Sequence, residues 1–246
     1  MLSKAQSKYI RSLTQQKFRN EYGVFVAEGE KITKEWLEAK VAIKTIAGTQ
    51  EWVSAHTALI AGHPEAELHI VSEAELMAIS GQQTPNDVLL VVPVPQQEEL
   101  VLTDRWYLAL DGIQDPGNMG TLIRIADWFG IQDIICSPGC VDVYNPKVIQ
   151  SAMGGHLRVR THIAALPALL ENTQIPGVAA TLRGTSVYEM ERAGSGILII
   201  GNESKGISDA VLVRSGRKVT IPGKGGAESL NAGVSAGILC SLLLPI

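Results

Sequence analysis

LDGIQDPGNMGTLIRIADWFG, residues 110–130, decides how the chain is read. An apolar run ends at Leu110, a turn containing Gly112, Pro116, Gly117 and Asn118 follows, and an amphipathic helix begins. Leu122, Ile125, Ala126 and Phe129 recur at i, i+3, i+4 and i+7, the spacing of one helix face, and Gly130 supplies the stop. Arg124 lies about 200° around the helix from Leu122, so it points away from that stripe. Gly120 stands one turn earlier on the face of Arg124, and Asn118 is placed to cap the helix. This is a strand, turn and helix with more turn chemistry than chain reversal requires.

The same alternation runs outward to the carboxy terminus. WYLAL, DIICS, HIAA, GVAATL, GILIIG and KVTIP are apolar throughout and are separated by helical patterns, which indicates a parallel sheet covered on both faces. Ligands of such sheets bind beyond the carboxyl ends of the strands. Towards the amino terminus, a basic helix precedes VFVAEG, KITKEWLEA, IKTIAG, EWVSAHTALIAG, LHIVS, AELMAIS and VLLVVPV, a smaller α/β unit. The polar, Pro-containing PVPQQEEL then reads as a connection. The expected organisation is a first domain over residues 1–95, a linker over 96–104 and a second domain over 105–246.

Composition narrows the class. With 246 residues, 46% of them hydrophobic, the chain can bury a substantial core. No apolar run reaches the roughly 18 residues of a membrane span, and MLSKAQSKYIRS has no secretion-signal core, so the expectation is a soluble cytoplasmic protein. Cys136, Cys140 and Cys240 form no CxxC pair and the five His are scattered, so neither a metal site nor a disulfide framework is expected. A net charge of −4 argues against indiscriminate nucleic-acid binding. Yet Lys4, Lys8, Arg11, Lys17 and Arg19 fall in the first 19 residues with no acid among them. Lys4, Lys8 and Arg11 share one helix face, suited either to solvent or to phosphates.

Two further strand exits are specific. In ILIIGNESKGIS, residues 197–208, Gly201 is followed by an amide and by Glu203, which could hold the Arg124 guanidinium in an ion pair. In VTIPGKGGAESLNAGVSAGILCSLLL, residues 219–244, a glycine-rich loop leads through Ser229, Leu230 and Asn231 into a helix of small residues able to pack closely. No GxGxxG occurs, so a dinucleotide fingerprint is not supported.

NMGTLIR, IIGNESKGIS and IPGKGGAESLN, in that order and at strand ends, resemble the three motifs of the SpoU (TrmH) family in the SPOUT superfamily of RNA methyltransferases. VFVAEGEKITKEWLEA resembles, more weakly, that family's ribosomal-protein-like substrate-binding domain. The resemblance implies an α/β fold with a carboxy-terminal SPOUT parallel sheet closed by a trefoil knot, a small amino-terminal α/β RNA-binding domain, and a homodimer. It further implies S-adenosylmethionine-dependent methylation of a ribose 2′-hydroxyl in structured RNA, ribosomal in preference to transfer RNA, without a metal. By position, Gly201, Ile221 and Leu230 match the cofactor-binding residues, and Asn118, Arg124, Glu203, Ser229 and Asn231 match the catalytic set. The family assigns activation of the hydroxyl to the arginine; a guanidinium with pKa above about 12 suits stabilising an alkoxide and clamping a phosphate better than accepting a proton.

Departures from the pattern fall outside that set. NPKVIQSA places Gln150 where the family often has Arg, leaving Lys147, Arg158 and Arg160 as RNA contacts, and Ala232-Gly233-Val234 replaces V-S-V. Two other classes compete: a non-catalytic RNA-binding or ribosome-assembly protein that keeps the fold, and a small-molecule enzyme of doubly wound type. Retention of Arg124, Glu203, Ser229 and Asn231 together argues against the first. The basic amino-terminal helix and separate small domain argue against the second.

Overall fold

In a computed structural model, which describes residues 2–82, 84, 86–96 and 98–245, the chain divides into two units. Met1–Gln96 with Asp142–Leu157 forms the first, and Gln97–Val141 with Arg158–Ile246 the second. Among the described residues no helix is long and apolar enough to cross a membrane.

The first unit opens with α1 (Lys4–Ser12), started by a capping box: Ser3 Oγ accepts from Gln6 N at 3.2 Å and Gln6 Oε1 from Ser3 N at 2.9 Å. Then come α2 (Gln16–Tyr22), β1 (Val24–Glu28), α3 (Glu30–Glu38), β2 (Thr45–Gly48), α4 (Gln50–Ala55), α5 (Thr57–Ile60), β3 (Glu67–Ile70), α6 (Glu73–Ile79) and β4 (Val88–Pro93). The sheet order is β1-β4-β2-β3, antiparallel except for β2 with β3. Alternate residues serve opposite faces. Phe25, Ala27, Val88, Leu90 and Val92 join Ile32, Trp36 and Leu37 on one side. Val24, Val26, Leu89 and Val91 join Ile10, Leu13, Leu76 and Ile79 on the other. Two covered faces explain why β1 and β4 read as unbroken apolar runs. They also make the basic amino-terminal helix part of the core, since each fully buried Ile or Leu contributes about 1.5–3 kcal/mol.

The second unit contains β5 (Trp106–Asp111), α7 (Pro116–Trp128) and β6 (Asp133–Cys136). Between β6 and the next strand the chain supplies α8 (Pro146–Ala152) to the first unit, where Ile149 and Tyr144 join the Phe25 and Trp36 core. It returns with β7 (Arg160–Ile163), α9 (Leu166–Glu171), β8 (Gly177–Ser186), β9 (Gly196–Gly201), α10 (Asp209–Leu212), β10 (Arg217–Thr220) and α11 (Ala232–Leu243). All neighbours in the sheet, ordered β10-β8-β9-β5-β6-β7, run parallel. Leaving β5 the chain builds outward through β6 and β7, then returns so that β9 lies against the other edge of β5, with Asp111 beside Gly201. That reversal brings the carboxyl ends of β5 and β9 side by side, the position at which ligands of such sheets bind.

The α7 stripe is rotated from the expected one. Met119, Leu122, Ile123 and Ala126 are buried, whereas Ile125 and Phe129 are half-buried. Ile125 turns instead towards α11, its Cδ1 standing 4.0 Å from where a Cβ on Gly237 would lie. Gly130 ends the helix at φ +70°, a left-handed conformation that favours glycine.

Candidate functional site

The three motif loops leave β5, β9 and β10 on one side of the second unit's sheet. The first begins with a correction. Asn118 is not the cap of α7; Asp115 is, its Oδ1 accepting from Asn118 N at 2.8 Å. The reason is Pro116, which holds the residue before it in extended conformation and itself occupies the first helical position, where no N–H is needed. Asn118 therefore sits in the first helical turn with its side-chain amide free for other partners.

Those partners come from the other two motifs. Asn118 Nδ2 donates to Glu203 Oε1 at 2.8 Å, and Asn118 Oδ1 accepts from Asn231 Nδ2 at 2.8 Å. Asn231 Oδ1 in turn caps α11, accepting from Gly233 N at 2.9 Å and Val234 N at 3.3 Å. The polarity of this chain is determined throughout. With a Glu203 oxygen accepting from the Asn118 amide nitrogen, the Asn118 oxygen is left to accept from Asn231. The expected ion pair between Glu203 and Arg124 is not formed. Arg124 is exposed and makes no hydrogen bond or ion pair among the described residues. It stands six residues beyond Asn118, about 9 Å along the helix axis.

Beneath this chain a second set of contacts folds the β9 loop. Asn202 and Gly206 exchange backbone hydrogen bonds at 3.0 and 2.9 Å, returning the loop over its own strand end. A Cβ on Gly201 would stand 2.3 Å from Ile207 N and 2.4 Å from Gly206 C, so no larger residue fits. Asn202 Oδ1 accepts from Ser204 N and Lys205 N, both at 3.0 Å, and its Nδ2 donates to Gly112 O at 2.7 Å. Asp111 Oδ2 accepts from Ser208 N at 2.8 Å. Asn202 is the organising residue that sequence reasoning left out of the candidate set; its signal was an amide immediately after the glycine of a strand exit.

The third loop supplies the open side. Ile221 is half-buried, Ser229 is exposed, and Leu230 exposes 48% of its surface. Residues 222–230 make no hydrogen bond among the described residues, so their main-chain donors and acceptors are free to meet a ligand. Gly233 lets α11 approach α7 closely, since a Cβ there would lie 2.6 Å from Thr121 Cγ2. An apolar surface flanked by unpaired peptide groups is what adenine recognition calls for.

The cationic candidates separate into different classes. Lys4, Lys8, Arg11 and Lys17 are exposed in the first unit, with Arg11 Nη1 also donating to Ala78 O at 2.8 Å. Arg19 is not a surface contact: it is 2% exposed, its guanidinium taken up by Asp142 and by Leu13 O at 2.8 Å. Lys147 is exposed on α8. Arg158 is held by both carboxylate oxygens of Asp127 at 2.8–3.0 Å, and Arg160 pairs with Asp133 and Glu98. Among the described residues no group of three or more His, Cys, Asp or Glu could hold a metal ion.

The chain is similar to known proteins along most of its length. Residues 105–241 match the SpoU rRNA Methylase family, and residues 4–90 match the MRM3-like substrate binding domain. The chain is 32% identical to the 23S rRNA (guanosine(2553)-2′-O)-methyltransferase RlmP of Bacillus subtilis (strain 168), covering 93% of this chain and 92% of that protein. It resembles the solved structure of a putative RNA methyltransferase of the TrmH family from Porphyromonas gingivalis, with TM-score 0.87, 35% identity and coverage of 99% and 98%. An AdoMet-bound rRNA methyltransferase from Sinorhizobium meliloti superposes with TM-score 0.85 at 27% identity, over 98% of this chain and 94% of that one.

Proposed function

The chain belongs to the SpoU rRNA methylase family, and on that footing we propose that it transfers a methyl group from S-adenosylmethionine to a ribose 2′-hydroxyl of ribosomal RNA. The observation that carries this reading is the hydrogen-bond chain from Asn231 through Asn118 to Glu203, which ties three strand exits into one site beside a loop with free peptide groups. Gly201, Ile221 and Leu230 would hold the adenosine end of the cofactor. Bound there, S-adenosylmethionine supplies a methyl group already activated on a sulfonium.

What the protein must add is alignment and charge. Glu203, Asn118 and Asn231 hold the three loops in one arrangement, so the reacting groups meet without reorganisation. Arg124, exposed and without a partner among the described residues, is available to clamp an RNA phosphate and to stabilise the alkoxide that develops as the hydroxyl loses its proton. Ser229 stands exposed at the same loop and takes a role in orienting the ribose. The first unit binds RNA, with Lys4, Lys8, Arg11, Lys17 and Lys147 as phosphate contacts. The reading also includes a cytoplasmic location, a knotted carboxy-terminal segment and a homodimer. Trp128 on α7, 85% exposed, and Val234 on α11, 50% exposed, support an apolar meeting of two copies.

The test is methyl transfer from labelled S-adenosylmethionine to unmodified 23S rRNA, with the product located by the resistance of its 3′ phosphodiester to alkali. Arg124→Ala is expected to lower kcat by about 10²–10³-fold, the scale of losing one transition-state donor, with cofactor affinity unchanged. Leu230→Trp is expected to abolish cofactor binding in a calorimetric titration. RNA binding without transfer by the wild-type protein would refute the reading in favour of an assembly role, and transfer to transfer RNA alone would correct the substrate.

A further inference from the structure

The two helices that open the first unit carry an aromatic cluster on its surface. Arg19 fastens α2 from within: it is 2% exposed, pairs with Asp142 and donates to Leu13 O at 2.8 Å. Phe18 and Tyr22, at i and i+4 of the same helix, share a flank beside that anchor. Their rings lie 13° from parallel with centroids 6.2 Å apart. Tyr9 of α1, half-buried against the core that contains Ile10 and Val24, meets the Tyr22 ring at 68° and 5.0 Å. Gly23 then ends α2 at φ +61°, with nothing within 4 Å of where a Cβ would lie. Tyr22 is thus supported by two rings and still keeps 43% of its surface in solvent.

Lysines from two segments border the cluster. Lys17 Nζ stands 5.7 Å from the Phe18 ring centre. Lys44, just before β2, stands 5.2 Å from that of Tyr9 and donates to its hydroxyl at 3.3 Å. Both lysines are exposed and enter no ion pair among the described residues. No acid occurs before Glu21 in the sequence. Tyr22 is the ring left open: among the described residues no cation stands over it and its hydroxyl makes no hydrogen bond. The centre of a protein–protein contact is depleted in lysine. Flat rings set among lysines suit unpaired nucleic acid, whose bases stack on aromatic faces while cations follow the backbone.

We propose that Tyr22, backed by Phe18 and Tyr9, is a stacking platform for an unpaired base of the RNA, with Lys17 and Lys44 meeting the neighbouring phosphates. The proposal deepens the reading of the first unit as the RNA-binding unit and rests on it. Every base has a π-face, so the platform accepts any unpaired base. It refuses a duplex, whose bases are stacked on one another and closed to a side chain. What it selects in structured RNA is a loop, a bulge or an end, leaving sequence to other contacts.

The experiment measures fluorescence anisotropy of the full chain with a short labelled oligouridylate, the same strand with abasic sugars, and an RNA duplex of equal length, each over a range of salt. Wild type is expected to bind the oligouridylate about tenfold more tightly than the abasic strand, the scale of one stacked base. Tyr22→Ala and Tyr22→Leu should each lose that tenfold on the oligouridylate and bind the abasic strand and the duplex as before, whereas Tyr22→Phe should match wild type. Lys17→Ala with Lys44→Ala should instead reduce the slope of log affinity against log salt on the single strand by about 1.4, two phosphate contacts' worth. Equal binding of base-bearing and abasic strands by wild type would overturn the proposal. So would wild-type affinity in Tyr22→Leu, which keeps apolar bulk without a planar face, or an equal loss by Tyr22→Ala on all three RNAs. A wild-type protein that binds none of them would defeat the RNA-binding reading itself and the platform with it. One that shows the expected ring dependence yet transfers no methyl group would defeat the proposed activity and leave the platform standing.

Discussion

Replacing Gly201 with alanine tests the geometry of the site with one methyl group. The added Cβ would lie 2.3 Å from Ile207 N, 2.4 Å from Gly206 C and 2.7 Å from Gly206 O, where carbon contacts relax at about 3.5–4.0 Å. All three atoms are backbone, so no side-chain rotation relieves the clash; the β9 loop must move by about 1 Å. Such a move opens the paired hydrogen bonds between Asn202 and Gly206, each worth about 1 kcal/mol net. Overpacking adds about 1–3 kcal/mol, so the variant is expected to lose about 3–5 kcal/mol in urea denaturation. Displacing Asn202 and Glu203 by that distance is expected to lower single-turnover methylation by about 100-fold. Gly194→Ala is the control, since nothing lies within 4 Å of its Cβ. Stability within about 0.5 kcal/mol of wild type, together with unchanged turnover, would refute the argument.

Arg19→Met removes one partner of a buried pair whose other member, Asp142, is 12% exposed, and leaves that carboxylate unpaired; urea denaturation should show a loss of about 3–5 kcal/mol, largely recovered by adding Asp142→Leu. His156 is held neutral, its pKa lowered to about 4 by burial, with Nε2 bonded to Val143 O at 2.8 Å and Nδ1 buried without a partner among the described residues. The unfolded chain, titrating near 6.5, binds the extra proton first, so stability is complete above that pH and falls by up to about 3 kcal/mol on acidification to about 4. His156→Gln should abolish that part of the slope in denaturation curves taken at pH 7 and pH 5, and an unchanged slope would show that another group causes it. Combined Lys4→Ala, Lys8→Ala and Arg11→Ala should reduce the slope of log affinity against log salt for RNA by about 2–3 in filter binding. Arg19, already occupied, has no such share.

How much of this was legible in sequence depends on the range of the interaction. The strands of both units declared themselves because residues such as Val88 to Val92 are apolar at every position, which happens only when both faces are covered. The cap of α7 was misassigned to Asn118 although Asp115-Pro116 carries the stronger local signal, an extended residue before an N1 proline. The partner of Glu203 was out of reach: Arg124 satisfies charge complementarity, but Asn118 is the side chain that the first helical turn brings within reach. The same limit applies to Arg19, whose partner lies 123 residues away, and to α8, whose apolar spacing does not say which sheet it covers. Asn118, Glu203 and Asn231 were identified as candidates from the motifs, while their order of donation became readable only from coordinates.

That order of donation has a kinetic side. Its two links join residues 85 and 113 positions apart in the chain. Closing loops of that length is slow and brings no return until the strands between them are in place. A chain that has laid down β5 to β7 but not yet β9 and α11 has Asn118 facing solvent and nothing to orient it. The arrangement is therefore a late product of folding, and an incompletely assembled molecule lacks the link that joins the three loops.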